Sequence, residues 1–492
     1  MNKVFIKKYL YIVLLSVIVL FGVFVRLQVF LNNPSFWNDE CGLAWNIKFK
    51  SFFELFGVLN FMQVAPPLFL IATKLNTKIF GFSDFTLRII PFLSGCLSII
   101  AFYFLSRKVF KSNLSVITAV FIFTINFQLI NYSFEFKPYG LDALFATICL
   151  LIFINLDVEK ISTKSTALYG ILFAVMPWFS LASVFVIAGG FLDLILKNIK
   201  SIKENLLKKS LLILPVTLSC IIYLVTYVIS NYTKAGMMGY WQGYFSGNIL
   251  KILVENIRYF FFPIQYILFL LILLFIGLWL LYKDKSSFLN IFAFSFILLM
   301  TASCLHLYPF YERLSLFLVP MFLITITKPL DLISSEKKLQ SLILMFLFII
   351  TFHAQFTTAI DIVKNKGLNR GEYAREMMDF MVKELKPDDI IVVNDLSDTE
   401  FAYYSSFHNI KNKVIQEKFI STPEEKYLNA LNSLKSGYYW FYFPDNDLNN
   451  PYFERFMSWV KPKNIIYNIP KKASVLLYVE LNYRDHAKPE KY

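Results

Sequence analysis

The chain is short of charge: 17% of its 492 residues are Asp, Glu, Lys or Arg, where a soluble protein carries about a quarter. Cysteine is sparse too. Cys41, Cys96, Cys149, Cys220 and Cys304 are scattered, with no CxxC pair, so neither a disulfide framework nor a thiolate zinc site is supported. Four of them lie in apolar segments, where a thiol packs as a small hydrophobe. No glycine-rich phosphate loop, internal repeat or low-complexity segment is visible, which leaves nucleotide binding with little support. No cleavable signal peptide is expected, because the first apolar run is long enough to span a bilayer and lacks a small-residue cleavage site.

What the chain has instead is hydrophobicity: 57% of its residues are apolar and 18% aromatic, with 54 phenylalanines. Apolar runs of bilayer length recur along most of it, which predicts a multi-span membrane protein. About eleven spans are expected, near 9–31, 85–106, 114–131, 139–157, 166–178, 180–197, 210–230, 260–282, 288–306, 313–328 and 339–357. The region 166–197 reads either as one long helix or as two short ones broken around Pro177 and Trp178. The net charge of +14 invites a nucleic-acid reading, but the lysines sit in short loops between spans rather than in a folded basic module. Counting 166–197 as two spans puts every basic loop (around Lys8, Lys108, Lys160, Lys203, Lys283 and Lys338) on one side. The positive-inside rule then predicts a cytoplasmic N-terminus in the cell (inner or plasma) membrane. Residues 32–84, 131–138, 231–259, 306–312 and everything after 357 are expected outside.

Directly after the first run comes Ser35-Phe36-Trp37-Asn38-Asp39-Glu40-Cys41-Gly42. Two adjacent carboxylates flanked by aromatics sit where the chain leaves a bilayer, where acids are costly and usually functional; a solvated loop pair is the plain alternative. Read as extended chain, the two side chains point opposite ways, so only one can face a substrate. Residues 66–81 are apolar on much of their surface yet carry Lys74, Asn76 and Lys78. They predict a helix lying at the membrane interface, opened by proline and closed by Gly81, or alternatively an extra span. Within 231–259, aromatics interleave with glycines and Ile249 to Ile257 repeat at helical spacing. Beyond 357 the composition becomes that of a soluble domain. Ile390–Val393, Tyr438–Phe443 and Val475–Val479 are strand candidates, and Thr422-Pro423-Glu424-Glu425 predicts a capped helix. The organisation expected is a transmembrane domain over 1–357 with interfacial helices in its first outer loop (32–84), and a small extracytoplasmic α/β domain over 358–492.

Four motifs carry a family resemblance. The acidic pair Asp39-Glu40 resembles the first-loop acids of polytopic C-type glycosyltransferases, the superfamily of protein O-mannosyltransferases and lipid A aminoarabinose transferases. Ala65-Pro66-Pro67-Leu68-Phe69 followed by Phe80-Gly81 and Leu87-Arg88 is similar to that family's proline pair and Leu-Arg sequence. Tyr132-Ser133-Phe134-Glu135-Phe136-Lys137-Pro138-Tyr139 resembles its Tyr-Ser-Arg-Glu-x-Arg-Pro-Tyr, with Phe134 in place of an arginine. Tyr308-Pro309-Phe310-Tyr311-Glu312-Arg313 is similar to its arginine-bearing turn. Gln63 stands near where some members carry a lysine. The resemblance covers residues 1–357 and none of the soluble domain.

The resemblance implies the C-type glycosyltransferase fold, an α-helical polytopic membrane protein. Its implied activity moves a hexosyl or pentosyl residue from a polyprenyl-phosphate donor to an acceptor at the outer face. Acceptor and sugar stay open, membrane lipid is the other partner, and nucleic acid is not one. The chemistry fits: a departing lipid phosphate needs facing cations, for which Lys137, Arg313 and Arg88 are candidates. For each cation, snorkelling or pairing with an acid is the plain alternative. The acceptor needs a base, and the resemblance gives that role to Asp39, with Glu40 as its neighbour. Tyr132, Glu135, Tyr139, His306 and Tyr311 are candidate donor or acceptor contacts. No cofactor is implied with certainty; Asp39 and Glu40 could ligate a divalent metal, but no third ligand is evident. The competing class is a transporter or flippase of a lipid-linked saccharide, which predicts inverted repeats and broken helices. A non-catalytic scaffold would leave the clustering of these acids and cations at outer loops unexplained.

Overall fold

Runs of Leu, Ile and Phe form helices where no water competes for the backbone, because a helix satisfies every amide within one segment. The computed structural model describes residues 3–198, 205–234, 249–263, 266–332, 338–368, 373–394, 397–417, 434–443, 456, 458, 464–471 and 474–481. In chain order the first helices are α1 (Lys3–Asn32), α2 (Asn38–Phe49), α3 (Pro67–Phe80), α4 (Asp84–Leu87), α5 (Ile89–Val109), α6 (Asn113–Ile125) and α7 (Phe127–Asn131). Then come α8 (Tyr139–Asn155), α9 (Thr163–Phe179), α10 (Ser183–Lys197), α11 (Leu206–Tyr223), α12 (Ile229–Lys234) and α13 (Ile249–Phe260). They are followed by α14 (Ile267–Lys283), α15 (Ser287–Cys304), α16 (Val319–Thr327), α17 (Lys338–Lys364), α18 (Ala374–Glu384) and α19 (Asp398–Ser405).

Among the described residues each stretch read as a span lies largely on helical structure, the one near 260–282 being helical from Ile267. Among the described residues six helices are long and apolar enough to cross a bilayer: Lys8–Asn32, Asp84–Val109, Leu206–Asn231, Ser287–Cys304, Glu312–Leu332 and Phe346–Lys364. The chain is a multi-span membrane protein. Residues 166–197 form two helices, but the break falls at Ser180 rather than at Pro177, which is carried inside α9. The proline-opened helix is α3, with Pro66 as its N-cap and Gly81 as its C-cap.

By contacts the chain divides into two compact units. One holds residues 1–32, 51–58 and 64–367; the other holds 33–50, 59–63 and 368–492. In the first, two sets of loops meet at opposite ends of α6 and α16. At one end Lys328, 2% exposed, donates to Asp331 at 2.9 Å and to the Val109 carbonyl at 3.0 Å, and pairs with Asp284 at 2.9 Å. Asp331 also accepts from the Lys111 and Ser112 amides and from the Ser115 hydroxyl. These are three of the basic loops that the sequence assigned to one side. At the other end lie residues 126–139, 256–260 and 303–315: Asn126 donates to the Phe260 carbonyl at 2.7 Å, Asn256 to that of Phe310 at 3.2 Å, and Ser315 to Asn256 at 2.8 Å. Charges inside spans are few among the described residues. Arg26, fully buried on α1, donates to the Gly22 and Thr124 carbonyls. Asp193 accepts from Asn290 at 2.8 Å and pairs with Lys197 at 2.7 Å.

The charged knot predicts a pH response. Hydrogen bonds from Lys111 and Lys328 hold the Asp284 carboxyl below the usual carboxylate range. A carboxyl lower in the folded than in the unfolded chain adds stability that is complete above its unfolded value, about 3.9, and is lost as pH falls through the folded one. Thermal unfolding in detergent should therefore shift to lower temperature on acidification below about pH 4. Asp284→Asn should lower the midpoint at pH 7 and flatten that acid decline. An unchanged midpoint at pH 7 would count against the knot.

The second unit carries a five-stranded sheet in the order β2-β1-β3-β5-β4, made of β1 (Ile390–Asn394), β2 (Val414–Glu417), β3 (Gly437–Phe443), β4 (Asn464–Lys471) and β5 (Ser474–Leu481). β2, β1 and β3 are parallel, while β5 runs antiparallel to both β3 and β4. This is the expected small α/β domain. β1, β3 and β5 coincide with the three strand candidates. The two edge strands went unread: β2 has four residues with Val414 exposed, and β4 contains Pro470, which only an edge strand tolerates. Within the core, Trp440 and Tyr478 face each other across β3 and β5 and both donate to buried Asp389, at 3.0 and 2.8 Å. The helix expected at Thr422 to Glu425 lies outside the described residues.

Candidate active site

In the membrane unit the motif residues Tyr132 to Tyr139 form a tight turn between α7 and α8. Asn126 caps α7 by accepting from the Leu129 amide at 3.1 Å, and the Ser133 hydroxyl returns to the Ile130 carbonyl at 2.6 Å. Gly95 of α5 makes room for it, since a Cβ there would stand 2.3 Å from the Ser133 Cβ. Tyr132, Glu135, Lys137 and Tyr139 are all buried. The Tyr132 hydroxyl hydrogen-bonds that of Tyr259 on α13. Its ring meets Tyr139 edge to face at 5.2 Å, and the Arg313 guanidinium lies 5.7 Å from the Tyr139 ring centroid. Burial holds the Tyr132 phenol well above its ordinary value; Glu135 and Tyr259 push the same way and Arg313 opposes. Tyr132 is thus a neutral hydrogen-bonding group beside a fixed cation.

Beside Tyr259 opens a cavity of about 560 Å³ whose walls include Lys251, Glu255, Arg258, Tyr311 and Glu312. Glu312 sits at φ 33° and His306 at 56°, left-handed conformations that non-glycine residues occupy at a cost and that cluster at functional turns. Of the ten residues singled out from sequence, Tyr132, Tyr139 and Arg313 are brought together, with Glu135 in electrostatic reach of Tyr132 and Tyr259. Tyr311 lines the cavity. Lys137 is buried in the same turn as Tyr132. Arg88, fully buried, lies over the Phe134 ring at 5.5 Å. His306 is exposed at the end of α15.

The acidic pair belongs to the other unit, and its local structure corrects the sequence reading. Residues 38–49 are not extended chain but helix α2, with Asp39 and Glu40 in its first turn. There acids are favoured by the helix dipole. Adjacent helical residues diverge by about 100° rather than 180°; Glu40 is fully buried while Asp39 keeps partial exposure. The Gln63 amide donates to Asp39 at 3.3 Å. It approaches because Gly42 bears no side chain: a Cβ there would lie 3.2 Å from Gln63 and Phe61. Asn46 fixes the turn that carries Gln63, accepting from the Asn60 amide at 2.8 Å and donating to its carbonyl at 3.2 Å. Among the described residues no group of three or more His, Cys, Asp or Glu could hold a metal ion, so no step through a metal is derived.

Sequence reasoning missed two features. Lys251, Glu255 and Arg258 recur at i, i+4 and i+7, one face of an otherwise apolar helix, and that spacing was the available signal. Asp142, one turn beyond Tyr139, is a buried carboxylate receiving the Ser180 hydroxyl at 2.5 Å; an acid inside an apolar helix was a signal in itself.

A sequence profile described as "Dolichyl-phosphate-mannose-protein mannosyltransferase" matches residues 64–229. No curated protein matches the chain at a significant level. Among solved structures, ArnT from Cupriavidus metallidurans in the apo state superposes with a TM-score of 0.57 at 11% identity, covering 98% of this chain and 100% of that one. The same protein bound to undecaprenyl phosphate gives 0.56 at 12% identity, over 98% and 99%. The oligosaccharyltransferase of Archaeoglobus fulgidus, in complex with Zn and sulfate, gives 0.55 at 13% identity, over 95% of this chain and 73% of that one. At such identities the likeness is one of fold, and together with the profile match it makes the motif resemblance good: the chain is a polytopic membrane protein with the fold of the C-type glycosyltransferase superfamily.

Proposed function

We propose that the protein is a membrane glycosyltransferase that moves a sugar from a polyprenyl-phosphate donor to an acceptor at the outer face of the membrane. The observation that carries this reading is the Tyr132–Tyr259–Tyr139–Arg313 cluster beside a charged cavity, on a fold shared end to end with a protein solved with undecaprenyl phosphate. The bond from the sugar's anomeric carbon to the phosphate oxygen breaks as the acceptor's O–H or N–H nucleophile bonds to that carbon. The nucleophile's proton passes to Asp39. The charge left on the lipid phosphate falls to Arg313 and Lys137, with Arg88 as a third cation; charge-assisted donors of this kind are the strong ones. Tyr132, Glu135, Tyr139, His306 and Tyr311 are proposed as donor or acceptor contacts. The N-terminus is cytoplasmic and residues 358–492 are extracytoplasmic in this reading, supported by the lysine-rich loops that meet at one end of the membrane unit.

Purified protein in detergent is given a hexosyl and a pentosyl polyprenyl phosphate with a cell-envelope extract as acceptor. Transfer yields labelled envelope product together with free polyprenyl phosphate. If donor crosses the bilayer of proteoliposomes with no new glycosidic bond, the protein is a flippase instead. The orientation has its own test, in a chain whose exposed Cys304 is replaced by serine. Exposed Lys411→Cys should react with an impermeant maleimide on intact cells, and Lys285→Cys only after permeabilisation. The reverse pattern would overturn the outer-face assignment.

A further inference from the structure

α2 has little to hold it in place by itself. It is 12 residues long, its N-cap Trp37 makes no side-chain cap bond, and Gly42 lowers its helix propensity. Isolated helices of this length are marginal in water. Besides the turn 59–63, segments more than 300 residues away in the chain hold it, gripping it at both ends. Before its first turn, the Phe36 amide donates to the buried Tyr404 hydroxyl at 2.7 Å, and the Phe36 and Tyr403 rings stand 5.7 Å apart. The Arg375 guanidinium donates to the Asn33 carbonyl at 2.8 Å, and the Ser35 hydroxyl accepts from the Arg375 amide and donates to Glu376. In its last turn, the Lys48 ammonium donates to the Ser406 carbonyl and hydroxyl at 3.0 and 2.8 Å and lies 3.3 Å from the Phe407 ring centroid. α18 in turn is tied to the sheet by the Tyr442 hydroxyl, which donates to the Ala374 carbonyl at 2.8 Å.

We infer that α18 and α19 of the soluble domain are a positioning frame for α2, with Tyr404 and Lys48 as positioning residues for Asp39. This rests on Asp39 being the general base. Phe36 precedes Asp39 by less than one helical turn, so a lost anchor there moves the carboxylate directly, and a shift of about 1 Å from productive geometry costs as much as 10²-fold in rate. The soluble domain thereby acquires a role in catalysis without any contact to the donor.

Tyr404→Phe keeps the ring and removes the hydroxyl. It should lower kcat about tenfold while the donor KM stays within about twofold, because the frame sets geometry rather than donor affinity. Lys48→Met should do the same and Lys48→Arg should restore most of the rate, a rescue that general unfolding would not permit. A second readout needs no activity: buried Cys41 on α2 should be alkylated about tenfold faster in Tyr404→Phe, as a lost hydrogen bond loosens the helix. Unchanged kcat and unchanged Cys41 alkylation in both variants, with Asp39→Asn inactive, would overturn the frame and leave the base standing. A fully active Asp39→Asn would remove the base, and Cys41 alkylation would still decide whether the frame holds α2.

Discussion

Asp39→Asn is expected to lower the rate of sugar transfer by about 10²–10⁴-fold, the usual contribution of a general base, with donor affinity almost unchanged. The amide keeps the shape and can still accept from Gln63, so the turn 59–63 and helix α2 should stay in place; what it loses is the ability to take a proton. The first turn of α2 is a position where the helix dipole favours negative charge, and the carboxylate keeps partial exposure there. Glu40→Gln should be milder. Glu40 is fully buried on α2, so its replacement acts through packing, read as a lowered unfolding temperature more than as a lowered rate. Single-turnover transfer with saturating donor separates the two. Near-normal transfer by Asp39→Asn would end the base assignment.

Arg313→Ala is expected to raise the donor requirement about tenfold or more, since a charge-assisted contact to phosphate contributes roughly 1.5–3 kcal/mol. Arg313→Lys should recover only part of that loss, for two physical reasons. An ammonium cannot make the bidentate fork to a phosphate, and it replaces the flat guanidinium that lies 5.7 Å from the Tyr139 ring centroid. Tyr132 adds a control. Glu135 and Arg313 act on its phenol in opposite directions, so with the arginine gone the negative charge of Glu135 weighs more against an incoming phosphate. Titration of donor KM in Arg313→Ala, Arg313→Lys and Glu135→Gln/Arg313→Ala reads this directly. The double variant should regain part of the affinity lost in Arg313→Ala. An unchanged donor KM in Arg313→Ala would exclude Arg313 from the phosphate site.

Much of the membrane unit was legible from composition, because span length and apolar content are local properties. The proline-opened α3 and the core strands β1, β3 and β5 could be read from short windows, while the break between α9 and α10 was left open around Pro177 and fell at Ser180. The edge strands β2 and β4 could not, since short edge strands owe their existence to a neighbour rather than to their own pattern. Among candidate residues, those in spaced motifs could be singled out. Tyr259 and Arg258 were not, since they become neighbours of the motif residues only when α13 packs against α7 and the turn at Glu312.

Sequence alone singled out Asp39, Tyr132, Tyr139 and Arg313 as candidates, and it determined that the chain spans a membrane many times and that an α/β domain follows. These follow from transfer free energy and backbone hydrogen bonding, which act residue by residue. Tertiary structure alone decided that Tyr132, Tyr139, Tyr259 and Arg313 converge, and that Lys328 is a buried ion-pair partner rather than a solvated loop lysine. It also decided that the acidic pair rides on a helix joined to the soluble domain. A 12-residue helix with no side-chain N-cap does not form on its own propensity. Tyr404 and Lys48 hold it through contacts that span more than 300 residues of chain, and no local pattern encodes such contacts.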